Sequence, residues 1–127
     1  MCDRIVRYIR FIDRKTGDID NMKGVSIIAE LHHETKEMRF KFSMCNGDNF
    51  SKLDGLMVAD TKSKVYSTDY DKELSIVENV ISGLGKSVMP DDRVNSLRKF
   101  IFKNELDLTE NVNTEKILQR WFSQCLV

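Results

Sequence analysis

The sequence predicts an α+β fold, with an N-terminal antiparallel β-meander of about three strands packed against three to four C-terminal α-helices. Three observations carry this reading. Apolar residues recur at period two as far as residue 44, the period changes to 3.6 from residue 48, and the 127-residue chain has one proline, no repeat and no low-complexity tract. A sheet of two or three strands cannot bury its own apolar face, so the helices must cover it, and a single domain over 1–127 is expected.

The strands come first. Ile5, Ile9 and Phe11 alternate with Val6, Tyr8 and Arg10, so both faces of the first strand carry apolar surface. The polar 14–23 stretch, with Gly17 and Asn21, reads as a connection. After Gly24, Val25, Ile27, Ala29 and Leu31 share one face of a second strand. Met38, Phe40, Phe42 and Met44 share one face of a third, with Arg39, Lys41 and Ser43 on the other. The polar run 34–37 supplies the turn between them.

The helices follow. Asp48, Asn49 and Ser51 are N-cap types, and Phe50, Leu53 and Met57, with Leu56 beside them, mark the stripe expected to face the core. A second helix is expected over 72–84, with Asp71 as its cap and Gly83 and Gly85 as its stop. Pro90-Asp91-Asp92 begins a third, whose stripe is Val94, Leu97 and Ile101, widened by Phe100 and Phe102. A fourth is expected over 113–125, burying Ile117, Leu118, Trp121 and Phe122. The intervening 105–113 segment reads equally as a short strand or a connector.

Composition excludes several function classes. Twenty basic side chains balance twenty acidic ones, which removes the large positive field on which non-specific nucleic-acid binding depends. Cys2, Cys45 and Cys125 are odd in number and widely spaced, as expected of reduced thiols. The N-terminal 14 residues carry four arginines and no continuous apolar stretch, and no run approaches ~18 apolar residues. A soluble cytoplasmic protein is expected.

Catalytic and metal signatures are incomplete. The 83–87 run ends in Gly-Lys-Ser, but Val80 stands where a phosphate-cradling loop needs its first glycine, and a helix precedes it where that loop needs a strand. His32 and His33 are adjacent on a strand, so they point to opposite faces and cannot share an ion. Cys45 near that pair lacks a third orienting group. The acidic run of Asp69, Asp71 and Glu73, beside Tyr66 and Tyr70, reads as a solvated loop. No enzyme, metal or cofactor is expected.

Two arrangements can hold an anion. Arg4, Tyr8 and Arg10 share a strand face, an order that could stack a base and grip phosphate, though the plainer reading is a solvated face with cross-strand ion pairs. The 42–64 segment leads a strand through an Asn46-Gly47-Asp48-Asn49 turn into a helix, where backbone N–H groups and basic side chains can converge. Gly55 inside that helix implies close approach of its backbone to a neighbour.

Ser43, Cys45, Asp48-Asn49-Phe50-Ser51-Lys52, Gly55 and Ala59 together resemble a family of small phage proteins that act as sponges for nucleotide second messengers of bacterial defence. The best known of them block the Thoeris system by sequestering cyclic ADP-ribose isomers. The resemblance spans residues 43–59. Where the family is basic after the glycine, this chain has Asp60 ahead of Lys62 and Lys64, with Asp54 just before the glycine. The resemblance implies a non-enzymatic counter-defence protein, acting in the host cytoplasm, that sequesters a cyclic nucleotide-type immune signal and can assemble as a homo-oligomer. Asn49 would then touch a polar edge of the ligand, Phe50 would stack on it, and Arg39, Lys52, Lys62 and Lys64 would neutralise phosphate. The alternative is an inhibitor or adaptor that grips a host protein through its helical C-terminal half, with Trp121 and Phe122 as anchors.

Overall fold

The computed structural model describes residues 2–62, 64–86, 92–109, 112–115, 117 and 118. The elements run in the order β1 (Cys2–Phe11), β2 (Lys23–His32), β3 (Glu37–Asn46), α1 (Lys52–Thr61), β4 (Tyr66–Asp69), α2 (Ile76–Lys86), α3 (Asp92–Lys103) and β5 (Leu108–Thr109). The fold is α+β. The expected meander is present as β1, β2 and β3, and two short strands extend it to five in the order β4-β3-β2-β1-β5. Every pairing is antiparallel. Neither extension was marked clearly in the sequence. β4 is a four-residue edge strand with three polar residues, in a stretch that reads as a solvated loop. β5 settles the open reading of 105–113 by pairing Thr109 with Arg10 and Leu108 with Phe11.

The register assigns each residue to a face. Ile5, Ile9 and Phe11 lie level with Ala29, Val25 and Leu108, and these share a face with Ile27, Leu31, Met38, Phe40 and Phe42. α2 and α3 cover that face. Val77, Val80, Ile81 and Leu84 of α2 and Val94, Leu97 and Ile101 of α3 complete the core, and Phe11 meets Phe100 edge-on at 5.1 Å. Each such side chain contributes about 2 kcal/mol on leaving water. Ile117 also reaches this core. Trp121 and Phe122 lie outside the described residues.

The second helix starts later and ends later than its sequence suggests. Its cap is Ser75, not Asp71: the Glu78 N–H donates to Ser75 Oγ at 3.1 Å, and the Glu78 carboxylate returns to the Ser75 N–H. Asp71 instead closes a local turn by accepting from the Glu73 N–H. Buried Asn79 accepts from the Asp71 N–H and donates to the Asp71 and Ser75 carbonyls, which ties the loop to the helix. Gly83 does not stop α2. It lies against Thr68 of β4, where an added Cβ would come 2.7 Å from the Thr68 Cβ.

α1 covers the opposite face, and its apolar stripe is turned the other way from expectation. Leu53 is 67% exposed and Met57 60%, whereas Ala59 is the buried residue of the helix. The reason is Gly55. Its missing side chain lets the helix backbone settle on Ser26 and Ser43, and Ser43 Oγ donates to the Gly55 carbonyl at 2.7 Å. Small residues on both layers bring helix and sheet so close that the larger side chains must point outward.

Candidate functional site

The turn after β3 is built from its own sequence. Gly47 adopts a φ of 85°, a left-handed conformation that suits glycine, and its N–H donates to the Met22 carbonyl. The Phe50 N–H donates to the Asn21 carbonyl at 2.7 Å, which fastens the entry of α1 to the β1–β2 connection. Ser51 then caps α1 by accepting from the Asp54 N–H. Of the three cap candidates, Ser51 is the one used.

This anchoring lays the Phe50 ring flat on β2. A Cβ on Gly24 would come 2.9 Å from Phe50 Cγ, so glycine is what the ring requires beneath it. The Arg10 guanidinium stands 4.3 Å from the ring centroid, Tyr8 meets the ring edge-on at 6.2 Å, and the Lys52 ammonium stands 5.2 Å from the Tyr8 ring. Two cations and two aromatic rings therefore interleave across β1 and the start of α1. Sequence alone placed Tyr8 and Arg10 on one face, and Phe50 and Lys52 at a helix start. The long-range register joins the pairs.

Arg10 is the unusual member. It is 9% exposed, its Nε is buried without a hydrogen-bond partner, and no carboxylate among the described residues pairs with it. One buried N–H without an acceptor costs about 1–3 kcal/mol, offset in part here by the attraction of the guanidinium to the ring face. Lys52 likewise has no ion pair among the described residues. Opposite-charge pairing is present at the other end of the same strand face, where Arg4 meets Asp60 of α1, and on β3 between Arg39 and Glu37. Glu37, held by the Arg39 guanidinium and the Ser67 hydroxyl, has its carboxyl pKa lowered.

The six expected ligand residues do not gather at one point, because α1 is about 15 Å long and separates its ends. Asn49 and Phe50 line a cleft of about 390 Å³ with Cys45, Asp48, Asp54 and Val58, an acidic rather than cationic lining. Lys52 stands on the Tyr8 side. Arg39 lines a cleft of about 100 Å³ with Arg4, Lys41 and Asp60 near the far end of α1. Lys62 forms the C-cap of that helix, and Lys64 stands 5.7 Å from the Tyr66 ring. The two histidines do diverge: His33 pairs with Asp3 at 2.9 Å and meets Tyr70 edge-on, while His32 lies 3.8 Å from Glu30.

Among the described residues, no group of three or more His, Cys, Asp or Glu side chains is placed to hold a metal ion. None of the described helices is long and apolar enough to cross a membrane. Comparison with protein-family models, curated proteins and solved structures finds no match to this chain.

Proposed function

We propose that this protein is a non-enzymatic phage counter-defence factor that captures an anionic nucleotide-type signal at the Tyr8–Arg10–Phe50–Lys52 cluster. The observation that carries this reading is Arg10, whose Nε is buried with no acceptor and whose guanidinium lies over the Phe50 ring, beside Lys52, a second cation with no ion pair among the described residues. Natural folds retain such a costly group where a ligand completes it. A phosphate oxygen would be met by the terminal nitrogens of Arg10 and by the Lys52 ammonium, and the Tyr8 ring gives a flat surface beside them for a base. Phe50 serves as the platform of the guanidinium, while Asn49 lies next to it in the chain for a polar contact. Arg39, Lys62 and Lys64 belong to the far end of α1 and drop out of the ligand set. Capture without turnover fits a cluster that offers charge and stacking but no nucleophile–base pair.

Calorimetric titration with cyclic mono- and dinucleotides and cyclic ADP-ribose isomers tests this. Binding by one of the panel is expected, with the nucleotide recovered chemically unchanged. Lys52→Gln, at an exposed position, should weaken it roughly 10-fold or more through a lost charge-assisted contact. Arg10→Met should abolish binding while leaving the melting temperature equal or higher, since a buried N–H without an acceptor is removed. Absence of heat across the panel, or a large loss of stability in Arg10→Met, would refute the proposal.

A further inference from the structure

The outward surface of α1 carries three exposed apolar side chains among its charged ones. Leu53, Met57 and Val58 are all exposed, and Val58 shares its cleft with the exposed Met44 of β3, so the patch continues onto the sheet edge. Isolated apolar side chains on a surface need no explanation, but a contiguous patch along one helix marks a contact surface. Its charges are ordered as well. The first turn carries Lys52 and Asp54, and the last carries Asp60 with Lys62 just after it, so the signs at the two ends are reversed.

That order fits one occupant. We infer that α1 packs against α1 of a second copy of this chain, antiparallel about a two-fold axis near Met57. A two-fold perpendicular to the helices brings like flanks together in opposite directions. On one flank Asp54 then meets Lys62 of the partner, and Lys62 meets the partner's Asp54. On the other, the partner's Asp60 is already held by Arg4 of its own chain at 2.9 Å, which leaves Lys52 against Tyr8. A parallel arrangement would instead set Lys52 against Lys52 and Asp54 against Asp54. The charges therefore select the antiparallel pair, and Leu53, Met57 and Val58 form the dry centre between them. Gly55 enables this contact as well as the inner one, because close seating on Ser26 and Ser43 is what turns the larger side chains outward.

Sedimentation equilibrium of the full chain supplies the test. A species of twice 14.8 kDa is expected at about 100 µM. Met57→Glu, at an exposed position that leaves the fold intact by circular dichroism, should give monomer. Asp54→Lys and Lys62→Asp should each weaken the dimer by roughly 10-fold, and the double variant should recover most of that loss because the pair is restored with signs exchanged. A monomeric wild-type chain overturns the proposal and leaves the face to another occupant, such as the C-terminal segment after residue 118 or an unrelated protein. A dimer that survives Met57→Glu, or charge reversals that fail to compensate, also overturns it.

Discussion

Replacing Gly55 by alanine sets two well-characterised effects against each other. Inside a helix the change is ordinarily favourable by about 1 kcal/mol, because glycine loses more backbone entropy on folding. Here the new methyl would come 3.2 Å from the Ser26 Cβ and 3.6 Å from the Ser43 Oγ, and would overlap the Ser26 hydroxyl. Rotating that hydroxyl away leaves the 3.2 Å contact, which is tighter than ordinary packing, so α1 must lift. Lifting strains the bond from Ser43 to the Gly55 carbonyl. Overpacking of this kind costs about 1–3 kcal/mol, so the net expectation is a loss of about 1 kcal/mol, read as a lowered urea midpoint. Ser26 Oγ is buried without a partner, so Ser26→Ala alone should be neutral or stabilising, and Gly55→Ala should cost less in that background. A Gly55→Ala variant more stable than the parent would refute the close seating of α1 and everything built on it.

Three further outcomes follow from the described contacts. Gly83→Ala should destabilise by roughly 2 kcal/mol in the same assay, more than Gly55→Ala, since the contact with the Thr68 Cβ at 2.7 Å involves an atom that no rotamer can move. Asn79→Asp should cost about 3 kcal/mol at neutral pH, because it replaces the buried donor to the Asp71 and Ser75 carbonyls with a negative acceptor. Burial raises the carboxyl pKa of Glu105 in the folded state, and its Oε2 lacks a partner. Folding therefore favours its protonated form, and the contribution is present below the unfolded pKa and lost as pH rises through the folded one. Glu105→Gln should melt higher than the parent at pH 7, with the difference vanishing below about pH 4. An advantage that persists at low pH would contradict that assignment.

Sequence periodicity was a reliable guide where one face of an element is buried and the other is wet. The Met38–Phe42 stripe of β3 and the Val94–Leu97–Ile101 stripe of α3 were legible for that reason, whereas β2 is buried on both faces from Gly24 to Ala29 and was legible only through the spacing of Val25, Ile27, Ala29 and Leu31. It misled at α1, where spacing alone cannot say which side of a helix meets the sheet. The inward positions there belong to Gly55 and Ala59, and the conspicuous Leu53 and Met57 face out. Gly83 and Gly85 suggested a helix end because glycine suits both a C-terminal cap and a close crossing, and only the position of Thr68 distinguishes the two. The capping box of Ser75 and Glu78 was available in the sequence but was overshadowed by Asp71. At the candidate site, each half was readable on its own strand or helix. The contact between Arg10 and Phe50 was not, because it joins residues some forty positions apart through the register of three strands.

The crossing at Gly55 ties three chain-distant positions into a single volume. Relatives of this chain that carry alanine or serine at position 55 should show alanine or glycine at 26 or 43, while position 24 should vary in step with the ring at 50. Such compensated exchanges would let ancestry be read from side-chain size alone, and they would mark out descendants that keep the helix seated from those that have let it go.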